Sequence, residues 1–295
     1  MKHSAHFKIG KAKTMNLLYD IHKLPQDIRC QILFTPKFYK WFCEYPAKLL
    51  GIDSNAKTVK GSKLGISTAI LYLAPYTMSG INLCAMAHLA NCHEPCLNTA
   101  GRGAMNNVQM SRLRKSLYWE QFPELFLAQL ESEVLAHAKK CASRSLVPAV
   151  RLNGTSDIKW EVYLSDFMVG VNTDYGVEWY DYTKLTNRIV PKCYDLTFSY
   201  SGEPLFRSYV RKAIDNGMRI AVVFRNQDSY KNCESFVDTL ALYRQRDKVL
   251  GGMPIIRGDD HDARFIEPSE CVVALYAKGK ARHDTSNFVV DTILN

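Results

Sequence analysis

The sequence has no run of about 18 apolar residues, so nothing in it reads as a membrane span. Its start, Met1-Lys2-His3-Ser4-Ala5-His6, lacks the apolar core of a secretory signal. The expected compartment is a reducing cytoplasm. There, 9 cysteines argue for metal ligands or buried thiols rather than a disulfide framework. No GxGxxG, Walker A or HExxH pattern occurs, which removes the common phosphate-loop and zinc-protease motifs. There is no internal repeat and no low-complexity segment. Acidic residues are scarce only at the N-terminal end. Residues 1–60 carry 11 Lys/Arg against 4 Asp/Glu, whereas the remaining residues carry 27 against 25. The basicity therefore belongs to the first segment. Lys2, Lys8, Lys11 and Lys13 form either a solvated tail or an arm that meets nucleic acid or another acidic partner.

Three of the cysteines sit close together, in Cys84-x7-Cys92-x3-Cys96. They follow the strand-like run Ala69-Ile70-Leu71-Tyr72-Leu73-Ala74 and precede a Gly101-Arg102-Gly103 turn. Thiolates suit soft metals and iron–sulfur clusters. Zinc fingers space their cysteine pairs more tightly, so the spacing points to a [4Fe–4S] cluster before zinc. The plain alternative is three small buried thiols. Asn91, His93, Glu94 and Pro95 speak against it, because they make the loop polar and rich in turns. Three cysteines leave one iron without a thiolate. Of the others, Cys141 ends a helical stretch, and Cys193 and Cys271 begin strands, which places them at the opposite end of a parallel sheet. Cys233 falls at the same end as the cysteine loop, and Cys30 and Cys43 belong to the N-terminal segment.

Residues 1–54 read as a basic, aromatic-rich segment, with Phe34, Phe38, Tyr39, Trp41, Phe42 and Tyr45 interrupted by Pro36 and Pro46. That is too apolar for a free tail and predicts a short helical or irregular cap. From residue 55 to 295 the pattern alternates. Strand-like runs occur at 68–74, 147–152, 177–181, 194–199, 219–224, 253–256 and 271–277. Helical stretches occupy about 104–141, 160–169, 204–217 and 231–246. Pro123 should break the first of these in two, since a mid-helix proline loses a hydrogen bond and clashes with the preceding turn. Alternating elements predict an α/β fold with a parallel sheet, and seven strands suggest a single (β/α) barrel or a partial TIM-like barrel.

Such a fold gathers its chemistry at the C-terminal strand ends. The candidate ligand-binding residues at those exits are Asn153, Ser156, Asp157, Asp181, Lys184, Ser199, Asp259, Asp262 and Lys278. Together they predict one polar pocket for a small molecule facing the cysteine loop. Gly258-Asp259-Asp260-His261-Asp262 fits either a divalent ion or pairing with cations such as Lys278, Lys280 and Arg151. Arg112, Arg114 and Lys115 add positive charge near the cysteines.

Several of these stretches resemble the bacteriophage family named after gene product 88. They are Lys57-Thr58-Val59-Lys60-Gly61, Leu71-Tyr72-Leu73-Ala74-Pro75, the segment from Cys84 to Gly103, and Arg151-Leu152-Asn153-Gly154-Thr155-Ser156-Asp157-Ile158. Tyr180–Lys184, Gly258–Asp262 and Ala277–Lys280 fit it too, over about residues 55–290. The resemblance implies a phage-encoded protein working in the host cytoplasm. A looser one, to radical S-adenosylmethionine enzymes, implies a partial barrel, a three-cysteine [4Fe–4S] cluster and S-adenosylmethionine on its fourth iron. The spacing differs from their Cys-x3-Cys-x2-Cys, and no Gly-Gly-Glu strand end is present. The expected function is an iron–sulfur enzyme of redox or radical type. The alternatives are a non-catalytic iron–sulfur protein contacting nucleic acid or a host protein, and a zinc-bearing structural module.

Overall fold

A computed structural model of the chain describes residues 24, 26–34, 36–225, 253 and 255–290. Two short helices, α1 (Gln26–Phe34) and α2 (Pro36–Cys43), precede strand β1 (Leu50–Ile52) and helix α3 (Ala56–Ser62). Then come β2 (Ile66–Leu71), α4 (Asn106–Gln121), α5 (Pro123–Ala142), β3 (Val147–Arg151), α6 (Glu161–Tyr175) and β4 (Glu178–Thr183). The chain continues through β5 (Tyr194–Ser199), α7 (Arg207–Asp215), β6 (Arg219–Phe224), β7 (Ile255–Arg257) and β8 (Val272–Tyr276). Pro123 does divide the long helical stretch. It stands at the first turn of α5, where its missing N–H costs nothing. The helical run at 231–246, Cys233 and the lysines at positions 2, 8, 11 and 13 lie outside the described residues.

One eight-stranded sheet runs in the order β1-β2-β3-β4-β5-β6-β8-β7. From β2 to β8 every pairing is parallel, and only β1 is antiparallel to its neighbour. From β2 to β6 the chain advances steadily across the sheet. Right-handed crossovers in one direction put their connections on one face. That face carries α5, α6 and α7. Trp119, Phe126, Leu130, Trp160 and Met168 pack there on Leu71, Val150 and Trp179. Further along, Phe206, Val210 and Ala213 pack on Phe198, Ile220 and Val272. Full burial of large side chains such as Trp160 and Trp179, each stabilising by roughly 1.5–3 kcal/mol, makes this layer the main core.

The step from β7 to β8 runs the other way, so its right-handed crossover falls on the opposite face. There residues 258–271 press Ala263 and Phe265 onto Ile66, Ala149 and Tyr180. Helix α3 meets the same crossover, with Lys57 Nζ donating to Gly258 O at 2.8 Å and Lys60 Nζ to Asp259 O at 3.0 Å. The fold is thus α/β with a mostly parallel sheet, but the sheet is open, with β1 and β7 as its edges. A closed barrel is not formed. Its interior face is filled by a chain crossover instead of by layers of strand side chains, and β1, which no periodicity announced, covers the β2 edge.

The N-terminal helices are seated on this body. Leu24, Ile28, Ile32 and Phe42 bury themselves against Met110, Leu113 and Leu117 of α4. Arg114 lies over the Trp41 ring at 4.1 Å and donates to Trp41 O at 2.7 Å.

Candidate functional site

The cysteine loop leaves the C-terminal end of β2, as do the exits of its parallel neighbours. Cys84 Sγ accepts from Tyr76 N at 3.4 Å and lies 3.7 Å from Thr155 O of the β3 exit. Cys96 begins a single 3-10 turn, and its Sγ accepts from Asn98 N at 3.5 Å. Within the same loop the His88 and His93 rings stack at 5.6 Å. The three thiols share one electrostatic neighbourhood, since Cys84 feels the charge of both Cys96 and Cys92. Burial pushes all three thiols up, Cys96 to about 11. A metal bound there would take the place of the thiol protons. Among the described residues, no group of three or more His, Cys, Asp and Glu side chains is arranged to hold a single metal ion.

Around the thiols the β3 and β4 exits are tied together. Asn153 organises its own loop: its Oδ1 accepts from Ser156 Oγ at 3.0 Å, Ile158 N at 2.9 Å and Trp160 Nε1 at 3.1 Å. Gly154 is needed where the loop crosses β2, because a Cβ there would stand 2.7 Å from Leu71 O and 2.6 Å from Tyr72. Asp157 accepts from Thr183 Oγ1 at 2.7 Å and Lys184 N at 2.8 Å, and Arg188 lies 3.7 Å away. Its carboxyl is raised by burial, against the pull of those donors and cations. Lys184 Nζ donates to Ser199 O at 3.0 Å and Ser199 Oγ at 3.1 Å, and it feels all three cysteines. So Cys84, Cys92, Cys96, Asn153, Ser156, Asp157, Lys184 and Ser199 form one group.

The other candidates form a second. Asp259 takes 2.9 Å and 2.8 Å contacts from Lys57 and Lys278 and accepts from Tyr276 N at 2.9 Å. Asp262 accepts from Arg151 at 3.1 Å and from Tyr180 Oη at 3.0 Å. Of the two readings of the Gly258–Asp262 loop, pairing with cations is the one observed. Lys278 still borders the first group, because Gly279 abuts Thr99 and Ala100. Asp181 departs from its expected place. It lies within β4, not at its exit, and accepts from Leu152 N, Asn153 N and Tyr194 Oη at 3.1, 2.8 and 2.6 Å. The candidates therefore do not all face one pocket. A cavity of about 460 Å³ instead lies around Leu185–Val190 and Asn216–Arg219, near the start of β6. Cys141, Cys193 and Cys271 stand at the far end of the sheet, as their sequence positions require.

Arg188 is a partner that the sequence did not announce, and Lys57, Asn98 and Thr155 stood only within longer stretches with no role of their own. Only Arg112 carried a signal, as part of the basic run after the glycine turn. Arg112 lies over the Tyr72 ring at 4.8 Å and donates to Asn98 Oδ1. Arg114 and Lys115 turn away, to Trp41 O and Leu49 O.

A family model described as Gene product 88 matches residues 48–292. The chain belongs to the Gene product 88 family. The match spans β1 to the last described residues and so covers the whole sheet and both groups of candidates. Comparison with curated proteins and with solved structures finds no match. The bacteriophage resemblance is thus supported over nearly all of the described chain, whereas the radical S-adenosylmethionine likeness gains no support. Among the described residues no helix is long and apolar enough to cross a membrane.

The pairing of Asp259 gives a pH test. Burial would raise its carboxyl, but Lys57, Lys278 and the Tyr276 N–H outweigh that and hold it at about 2, below the ordinary 3.8. A depressed folded-state value means stability present above pH 3.8 and lost as pH falls toward 2. Wild type should lose about 2 kcal/mol over that window that Asp259→Asn does not lose. Denaturant melts between pH 5 and pH 2 check this, and parallel curves for the two proteins would refute it.

Proposed function

We propose that the chain binds one [4Fe–4S] cluster through Cys84, Cys92 and Cys96 and works as a redox or radical-type enzyme at the C-terminal strand ends. The observation that carries the reading is that three half-buried thiols of one loop lie within reach of one another's charge, beside Lys184 and the Asn153–Asp157 exit. The cluster would supply one-electron chemistry. Its fourth iron, free of a protein thiolate, is the place for water, a small molecule's amine and carboxylate, or substrate. The open arc of parallel strands, with α5, α6 and α7 on one face, serves in this reading as a partial (β/α) barrel. Asn153, Ser156, Asp157, Lys184, Ser199 and Lys278 are its rim, with Asp181, Asp259 and Asp262 behind it. The working compartment would be the host cytoplasm.

A second reading is favoured by one specific observation. Asn153, Asp181, Asp259 and Asp262 spend their polar atoms on the protein itself. In that case the cluster is a structural or electron-carrying element, and nucleic acid or a host protein is the partner of the basic N-terminal segment.

Anaerobically purified protein should be brown, absorb broadly near about 400 nm and hold about four irons and four sulfides per chain. Mössbauer spectra before and after adding S-adenosylmethionine separate the readings. One altered iron site supports the enzyme with that cofactor, and four unchanged sites favour the non-catalytic role. A colourless protein holding zinc would overturn both.

A further inference from the structure

Two buried cations stand beside the cysteine loop, and among the described residues neither forms an ion pair with a carboxylate. Lys184 is 7% exposed. Its ammonium meets three oxygens, Ser199 O at 3.0 Å, Ser199 Oγ at 3.1 Å and Tyr200 O at 3.4 Å, which matches its three hydrogens. The Phe288 and Phe206 rings face it at 4.7 and 5.3 Å. All of these groups are neutral. Arg112 is 8% exposed. It donates to the Asn98 side-chain oxygen and lies over Tyr72, again neutral partners. Among the described residues no carboxylate comes within ion-pair distance of either, whereas Arg151, Arg188, Arg219 and Arg264 each have one. Asp157 accepts from the Lys184 backbone N–H and not from its ammonium, and its charge is shared with Thr183 and Arg188.

A charge left alone in a protein interior is costly, and an opposite charge supplied beside it offsets that cost. Here the groups able to supply it are the thiols. Arg112 reaches Cys96 through Asn98, whose side chain accepts from the guanidinium and whose backbone N–H donates to Cys96 Sγ. Lys184 feels Cys92 first, then Asp157, then Cys84 and Cys96, and the Phe206 and Phe288 rings it lies over belong to the apolar clusters that Cys92 packs against. The two cations thus approach the cysteines from the α4 side and the β4–β5 side. A [4Fe–4S] core of formal charge 2+, held by three thiolates and a neutral fourth ligand, carries one net negative charge. Adding one electron makes it two. Two fixed cations match the reduced form.

We propose that Lys184 and Arg112 are positioning residues that act as the built-in counter-charges of the cluster and favour its one-electron-reduced state. This rests on the cluster reading above. In the step itself, one electron passes from a low-potential one-electron donor to the cluster. The donor is oxidised, the cluster is reduced, and no bond forms or breaks.

The test is a dye-mediated potentiometric titration, with dithionite as reductant, of the reconstituted full chain and of Lys184→Met and Arg112→Gln. Each variant keeps the bulk of its side chain and loses the charge. In each, reduction should be at least tenfold less favourable, a midpoint about 59 mV more negative for a one-electron couple. Metal-free protein should respond in the opposite sense, with Lys184→Met melting above wild type because an unbalanced charge has gone. If Lys184→Met does not fold, Arg112→Gln carries the titration. Unchanged or raised midpoints in the folded variants overturn the counter-charge role while leaving the cluster standing. A metal-free Lys184→Met that melts below wild type overturns it as well. A wild-type protein that takes up neither iron nor sulfide overturns the cluster reading, and this inference with it.

Discussion

Replacing any one of Cys84, Cys92 and Cys96 by alanine is expected to strip the protein of iron and sulfide. In the proposed reading three thiolates of this loop hold the cluster, so each replacement leaves two of them and the core is lost to solvent. The colour near about 400 nm should fall to background in all three variants. Folding should survive, because the loop is anchored elsewhere. Asp157 N donates to Leu83 O at 2.8 Å, and Thr155 Oγ1 donates to Leu73 O at 2.5 Å. The controls are Cys141→Ala, Cys193→Ala and Cys271→Ala, at the far end of the sheet, which should keep full iron. Cys233→Ala shows whether a fourth thiolate takes part. Iron and sulfide assays on anaerobic protein decide the matter, and undiminished cluster in all three loop variants would sink the assignment.

The second large effect is on stability. Asp262 and Arg151 form a buried pair on the sheet face covered by the 258–271 crossover, with Tyr180 as a third member. Asp262→Ala leaves the Arg151 guanidinium without its main partner. It should cost about 3–5 kcal/mol, the range for breaking a buried pair from one side. The double variant Arg151→Met with Asp262→Leu should cost much less, since no charge is stranded. Asp157→Ala falls between, because it leaves the Thr183 hydroxyl and the Lys184 N–H without their acceptor while Arg188 keeps Glu161. Lys278→Ala belongs with neither. Its side chain is 41% exposed and Asp259 keeps Lys57, so its loss should stay within about 1 kcal/mol. Urea melts of these four variants check the ranking. An Asp262→Ala protein as stable as wild type would show that the crossover is not held this way, and would return Asp262 to service as a free ligand group.

How much of this was legible beforehand depends on the range of the signal. Apolar runs ended by turn residues marked β2 to β8, because a strand buried on both faces must be apolar along its length. Pro123 marked the helix break by its own chemistry. The place of the cysteine loop followed from its being the first segment after an apolar run. With every strand from β2 to β8 parallel, the exits shared an end, and Cys141, Cys193 and Cys271 fell at the other. These features are local, and the sequence by itself determined them.

Only the tertiary structure decided whether the sheet closes. Periodicity says which face a residue takes but not which strand becomes its neighbour. The insertion of β8 between β6 and β7 has no local signature. That insertion reverses the direction of travel, sends residues 258–271 to the opposite face, and fills the place where a lumen would be. It also decides which charged exits are free. Arg151 and Asp262 meet across 111 residues, and Asp157 meets Lys184 across 27. As residue types at strand ends, they read equally well as ligands or as partners of one another. The approach of Lys184 and Arg112 to the cysteine loop is of the same kind. Each sits on a different element, and their shared surroundings exist only once β2, β4 and α4 are packed, because burial, not composition, turns an ordinary cation into one that needs a counter-charge.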